Sequence, residues 1–283
     1  MIYRHAIEQR IGIEIATMRP LSGSMVGDVY RVDFIDGQTV VAKTSKLTQS
    51  SLKIEGKMLA YLAEHTILPV PDVLYCDDNL LIMSYIEHKT GLSAPAEEDA
   101  AHYFAALHNI TSKKFGLHFD TLIGGIHQPN TPDTCWIDFF CEQRLLYMAQ
   151  TAYESGQLPL AIRHRIDQFT SVLDDFLFEP EQPSLIHGDL WGGNILATDE
   201  KIAGFIDPAI YFAHPEIELA FTTLFNTFGQ SFFTVYRELR PIESDFFSVR
   251  RDIYNLYPLL VHVHLFGGNY VNAVDRILQR FAF

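Results

Sequence analysis

The chain is short of positive charge. Lysine and arginine total 21 against 35 for aspartate and glutamate, a formal net charge of −14, and no run of basic residues interrupts that balance. Such a surface repels nucleic acid and anionic membranes, so neither is expected as a partner. A polyanionic ligand such as ATP would need a metal ion and one or two placed cations. Cysteine is scarce too. Cys76, Cys135 and Cys141 are odd in number and lack metal-ligand spacing, so they read as reduced, partly buried thiols of a cytosolic protein. No stretch approaches the roughly 18 apolar residues of a membrane span. The N-terminal MIYRHAIEQRIG has no apolar segment of the signal-peptide kind, and a cytoplasmic location is expected. Repeats, low-complexity tracts and coiled-coil heptads are absent as well, which makes a monomer the default expectation.

What is present is an ordinary globular composition. The 283 residues are 48% hydrophobic and 20% charged, enough for one large domain or two lobes with a substantial core. The texture changes near residue 90, from short β-rich runs with turn signals to helical periodicity. Tyr30, Val32 and Phe34 alternate with Arg31 and Asp33, as on a half-buried strand. Asp36-Gly37 predicts a tight hairpin turn, with the return strand over residues 38–44. A helix over 51–64 is stopped by Pro69 and Pro71, and strands over 73–75 and 80–85 follow. Further on, Ile162, Ile166, Phe169, Leu173 and Phe176 mark a buried stripe on one helix. Val249, Ile253, Leu256 and Leu260 mark a second, which Pro258 should kink or interrupt. Val271, Val274, Leu278 and Phe281 mark a closing helix. The expected fold class is α+β with two lobes: residues 1–87 form an antiparallel sheet with one helix, and residues 88–283 are mainly helical.

One β-like island, residues 185–207, lies among the helices and carries the chemistry. It contains HGDLWGGNIL followed by GFIDPA. Asp189 and Asn194 are five apart, the offset of a protein-kinase catalytic loop, and Asp207, thirteen beyond Asn194, falls on the next hairpin, where a kinase's metal-binding aspartate follows. Phosphoryl transfer needs magnesium, which takes hard oxygen ligands, and Asn194 and Asp207 supply them. A second carboxylate, that of Asp189, must accept the hydrogen bond of the attacking hydroxyl and orient it. Gly188, Gly192 and Gly193 suit the tight backbone of such a loop. In the first lobe Lys43, ending VVAK, stands where a kinase holds ATP phosphates, and Glu55 on the next helix is its natural ion-pair partner. Gly23 and Ser24 lie in LSGSMVGDVY, where a phosphate-covering loop belongs. Residues 80–87, including Met83 and Tyr85, would form the last strand and the hinge that meets adenine.

The chain resembles the fructosamine kinase (ketosamine-3-kinase) family, relatives of aminoglycoside and choline kinases. The resemblance rests on HGDLWGGN, IDPAIYFAHPEIELA, LYPLLVHVHLFGGNY, FGLHFDTLIGG with QPN at 128–130, and WIDFFCEQRL at 136–145. It implies a protein-kinase-like fold and ATP with Mg2+ as cofactors. The implied reaction is transfer of the γ-phosphate to the third-carbon hydroxyl of a sugar on an amine, after which the amine is released and glycation reversed. The substrate would be a small-molecule or protein-bound ketosamine. Asp189 would be the base, Asn194 and Asp207 the metal ligands, and Lys43 with Glu55 the phosphate-holding pair. Trp191 would pack on the sugar or the amine's carbon chain. His262 is either a sugar-pocket residue or a histidine satisfied on its own helix.

Two departures stand out. Glu218 occupies a position where the family usually has aspartate, and His214-Pro215 stands where an acidic pair is common. The phosphate loop has Ser24 and Met25 where some relatives have cysteine, so a redox switch does not carry over. Alternative readings are a related kinase for aminoglycosides or choline, or a catalytically silent kinase-fold binding protein.

Overall fold

The computed structural model describes residues 2–21, 27–45, 52–89 and 91–283. The chain begins with a helix, α1 (Ile2–Ile11), and continues through β1 (Ile15–Leu21), β2 (Asp28–Phe34) and β3 (Thr39–Thr44). Helix α2 (Leu52–His65) follows, then β4 (Val73–Cys76) and β5 (Leu80–Ser84). The five strands make one antiparallel sheet in the order β1-β2-β3-β5-β4. Helix α1 is an element the sequence reading did not expect. It buries Ile7 against Ile15, Val32, Phe34, Val40 and Ala42, with Leu80 and Ile82 on the same face. The alternate residues of β5, Leu81 and Met83, meet Leu52 and Leu59 of α2 on the other face. That is why Leu80–Met83 reads as an unbroken apolar run: both faces of β5 are covered.

Helix α2 also turns Met58 and Leu62 into the larger core of the remaining chain. The first elements there are α3 (Ala94–His108), the hairpin β6 (Thr121–Ile123) and β7 (Ile126–Gln128), α4 (Trp136–Phe140), α5 (Tyr147–Glu154) and α6 (Leu160–Thr170). Then come β8 (Ser184–Ile186), β9 (Ile195–Ala197), β10 (Ile202–Phe205) and β11 (Tyr211–Ala213). Helices α7 (Pro215–Leu224), α8 (Gln230–Leu239), α9 (Arg251–Phe266) and α10 (Asn269–Arg280) complete it. Strand β9 pairs with β10 and β8 with β11, which closes the island into two small ribbons.

Two helical expectations are corrected. The stripe Ile162–Phe176 is not one helix: α6 ends at Thr170, and a single 3-10 turn spans Leu173–Asp175. Thr170 Oγ1 donates to the Asp167 carbonyl at 2.8 Å and Ser171 Oγ to that of Gln168 at 2.7 Å, side-chain bonds that compete with continued helix. Phe169 and Phe176 still meet around Phe281, across the break. Conversely, Pro258 does not interrupt α9, which runs through it. Proline removes one backbone bond, but Ile253 through Val261 is buried without a break, and α5, α7 and α10 pack around the helix. Val249 belongs to a π-helical turn, Phe246–Arg250, that precedes α9.

His214 caps α7, its Nδ1 accepting from the Glu216 amide at 3.1 Å, with Pro215 in the first helical turn. It is buried among Trp136, Phe178 and Tyr254. Burial, with the Arg250 charge nearby, pushes its pKa down to about 3. His108 and His187 are likewise buried and shifted downward by burial. A histidine held neutral in the fold lets the unfolded chain bind more protons below about pH 6.5, so stability is full above that value and falls as pH drops through it. Each contributes up to about 1.4 kcal/mol per pH unit. The unfolding midpoint is therefore expected to fall between pH 7.5 and 5.5. His214→Asn, which keeps a capping oxygen but cannot titrate, should flatten that slope in thermal melts. Equal slopes for the two proteins would remove His214 from the account.

Candidate active site

The β3 lysine is the anchor. Lys43 is 6% exposed, and its Nζ donates to Glu55 Oε1 of α2 at 2.6 Å and to Asp207 Oδ1 just beyond β10. Burial alone would lower its pKa, but the two carboxylates reverse this and hold it above the ordinary lysine value. Asp207 takes φ of +53°, a left-handed conformation that aspartate tolerates better than most residues. Two bonds fix the chain before it: the Phe205 amide donates to the Pro69 carbonyl at 2.8 Å and the Ile206 amide to that of Asn194 at 3.0 Å.

The loop between β8 and β9 holds Asp189 and Asn194 against each other. Asn194 Nδ2 donates to the Asp189 carbonyl at 2.8 Å and to its Oδ2 at 2.9 Å. A backbone carbonyl only accepts, so the amide nitrogen must face it, and Asn194 Oδ1 remains as the ligand atom. Asp189 is pushed up to about 7, first by burial and then by the charges of Asp207 and Glu218. Among the described residues Lys43 is the only lysine or arginine lining the cleft, while Glu55 and Asp207 bond to it and Asp189 lies within electrostatic reach of Asp207. The cluster is thus short of positive charge and rich in hard oxygens, which suits a magnesium ion. Among the described residues no group of three or more His, Cys, Asp or Glu side chains is placed to hold a metal by itself. Phosphate oxygens would have to complete the shell, as is usual for magnesium.

The loop is held from behind. Glu218 of α7 is buried and accepts from the His187 amide at 3.2 Å and the Gly188 amide at 2.7 Å. His108 Nε2 donates to the same carboxylate at 2.9 Å, and its Nδ1 accepts from the Tyr236 hydroxyl at 2.7 Å. The longer arm of glutamate therefore reaches the loop backbone. Sequence reasoning noted Glu218 but missed His108 on α3 and Tyr236 on α8; His108 lies 110 residues from Glu218 and 128 from Tyr236 in the chain. The three loop glycines also separate by role. Gly188 has φ of +85°, and a Cβ there would come within 2.1 Å of the Ala209 carbonyl oxygen. Gly193 has no such backbone, but a Cβ would meet the Trp191 ring at 2.3 Å, so this glycine makes room for the indole. Gly192 meets neither condition and is not required by the backbone geometry.

Two cavities flank this cluster. One, of about 350 Å³, lies between the sheet and the island and is lined by Val29, Val41, Lys43, Met83, Tyr85, Asn194 and Asp207 among others. The Arg31 guanidinium sits 4.3 Å over the Tyr85 ring and fixes it at the edge. The other, of about 300 Å³, is lined by Asp189, His262, Phe225, Phe266 and Tyr270. Trp191 lines both. His262 Nδ1 donates to the Pro258 carbonyl at 2.7 Å on its own helix, and the residue also lines the second cavity. Gly23 and Ser24, expected to cover phosphates, lie outside the described residues. The three cysteines are free, and burial raises each thiol to about 11.

Comparison with known proteins follows the same lines. A family model described as fructosamine kinase matches residues 2–282. A Vibrio parahaemolyticus protein, provisionally named a ketoamine kinase, is 31% identical over 266 residues, covering 92% of this chain and 90% of its own. A Thermobifida fusca crystal structure, provisionally named a fructosamine-3-kinase, superposes with a TM-score of 0.85 at 31% identity, covering 98% of each chain. An aminoglycoside phosphotransferase solved with AMP-PNP and hygromycin B shares the fold, with a TM-score of 0.70 at 18% identity over 100% of this chain and 99% of its own. The expected α+β, protein-kinase-like fold is borne out.

Proposed function

The chain belongs to the fructosamine kinase family, a family of phosphotransferases, and from that premise we propose that it transfers the γ-phosphate of ATP to the 3-hydroxyl of a ketosamine, a fructosamine or a ribulosamine. The observation that carries this reading is the division of the site. Lys43, Asn194 and Asp207 line one cavity, Asp189 lines the other, and Trp191 stands at the junction. The nucleotide belongs in the first cavity, its base toward Met83 and Tyr85 and its phosphates toward Lys43, which Glu55 keeps charged and aimed. The acceptor sugar belongs in the second.

Asn194 Oδ1 and Asp207 would hold Mg2+, which supplies neutralisation of phosphate charge when bound. Asp189 orients the attacking hydroxyl and takes its proton as the new O–P bond forms and the bond to ADP breaks. Its raised proton affinity, caused chiefly by burial, favours that acceptance over an ordinary carboxylate's. Asn194 keeps the carboxylate from rotating, and Glu218 keeps the loop from shifting. His262, neutral because burial lowers its pKa, presents Nε2 as an acceptor for a second sugar hydroxyl. The 3-phosphate makes the ketosamine labile, so the amine is released and glycation reversed. The three free thiols agree with work in the cytoplasm.

An ATP-consumption assay with purified protein tests the acceptor. Turnover is expected with a ribulosamine or a fructosamine and not with choline or an aminoglycoside. Strong choline turnover with no ketosamine turnover would overturn the acceptor class and leave the phosphotransferase intact.

A further inference from the structure

The acceptor cavity that Asp189 lines carries a row of rings in mutual contact. Trp191 meets Phe225 at 6.3 Å between centroids, Phe225 meets His262 at 4.9 Å, and His262 meets Tyr270 at 4.9 Å. Phe266 closes the row against His262 and Tyr270 at 5.8 and 5.9 Å. Two of these rings are costly to leave in water: Trp191 is 40% exposed and Phe266 54%. Large exposed aromatics beside a catalytic carboxylate mark a surface that something apolar covers. The charges are as telling as the rings. Among the described residues Asp189 is the only carboxylate lining this cavity, and neither lysine nor arginine lines it, although the chain as a whole carries a net charge of −14. Asp189 is committed to the acceptor hydroxyl. A substituent with several ammonium groups finds no counter-ion here, and one bearing a carboxylate finds no cation.

We propose that Phe225, Phe266 and Tyr270 determine specificity by holding the amine-side substituent of the acceptor, selecting a carbon-rich group with no charge beyond the amine nitrogen itself. The inference rests on the ketosamine reading above and deepens it. The sugar sits toward Asp189 and His262, and the substituent runs along the rings toward Phe266, where the cavity opens. Ring faces accept both an alkyl or aryl chain and a single ammonium, through burial and cation–π attraction respectively. They offer nothing to a polyamine or an acid.

Three ketosamines of one sugar test this: fructose joined to benzylamine, to glycine and to spermidine. The wild-type KM for the benzylamine compound should be roughly tenfold lower than for the other two. Phe266→Ser and Tyr270→Ala should raise that KM about tenfold and the KM for the glycine compound by less than about threefold, leaving the KM for ATP, whose cavity neither residue lines, within about twofold. Phe266 is half in solvent, so its variant keeps the fold, and melting curves verify this. Equal KM values across the three compounds, or variants that raise all three alike, would overturn the inference while ketosamine turnover itself persists. No turnover of any of the three, with phosphorylation of choline or an aminoglycoside, would instead bring down the acceptor reading beneath it.

Discussion

Asp207→Ala is expected to abolish nearly all turnover, with kcat lowered by on the order of 10³-fold, because one side chain serves two parts of the site. Its carboxylate pairs with Lys43, and it is one of only two protein oxygen sources proposed for the metal. Lys43 would retain Glu55 at 2.6 Å, so the lysine stays in place and the loss falls on the metal. The φ of +53° adds a second expectation. Alanine tolerates that conformation worse than aspartate or asparagine, so Asp207→Ala should also lose a little stability, about 1 kcal/mol. Asp207→Asn keeps both the backbone preference and one ligand oxygen, and should recover part of the activity at high magnesium. Steady-state rates across a magnesium titration, with thermal melts alongside, separate the two effects. A near-wild-type kcat for the alanine variant at ordinary magnesium would take Asp207 out of the reaction.

Asp189→Asn should lower kcat by about 10²-fold with little change in the KM for ATP, since Asp189 lines the acceptor cavity and not the nucleotide cleft. Phosphoryl transfer proceeds through a loose transition state in which proton removal is late, which keeps the loss nearer 10² than 10⁴. Geometry should survive, because an asparagine Oδ1 can still accept from Asn194 Nδ2. Stability should even rise in metal-free protein at pH 8. The native carboxylate is half-buried and feels the charges of Asp207 and Glu218, a cost that a neutral side chain of the same shape avoids. The pair of measurements is diagnostic: a slower but more stable variant marks a residue kept for chemistry. Wild-type turnover by Asp189→Asn would refute its assignment as the base.

The sheet and the reactive residues were legible to different degrees, for reasons that particular residues show. The β2–β3 hairpin could be read because Tyr30, Val32 and Phe34 alternate and Asp36-Gly37 turns the chain, all local signals. Helix α1 could not, because its apolar positions, Ile7 foremost, gain meaning only from the sheet face they cover. Helix α6 was overrun because a stripe of 4, 3, 4, 3 spacing continues across the turn where Thr170 and Ser171 end the helix. Pro258 was expected to kink the helix or begin a new segment, and α9 runs through it without a new start, because local rules weigh the lost hydrogen bond and not the packing around α9. Glu218 was visible as a departure, yet whether its arm reached the loop depended on where α7 lies.

By itself, the sequence determined which chemistry was available: an Asp and an Asn five apart, a later Asp, and a strand lysine with a helix glutamate, each spacing set by one local loop, hairpin or helix. Only the tertiary structure decided how those groups are used. It brought Lys43 and Asp207, 164 residues apart, into one ion pair, put Glu218 and His108 behind the loop, and lined the second cavity with rings from α7, α9 and α10. Local spacing is governed by short-range backbone geometry, which a sequence carries openly. Contacts between distant segments depend on the burial of whole faces, which no single stretch of chain specifies.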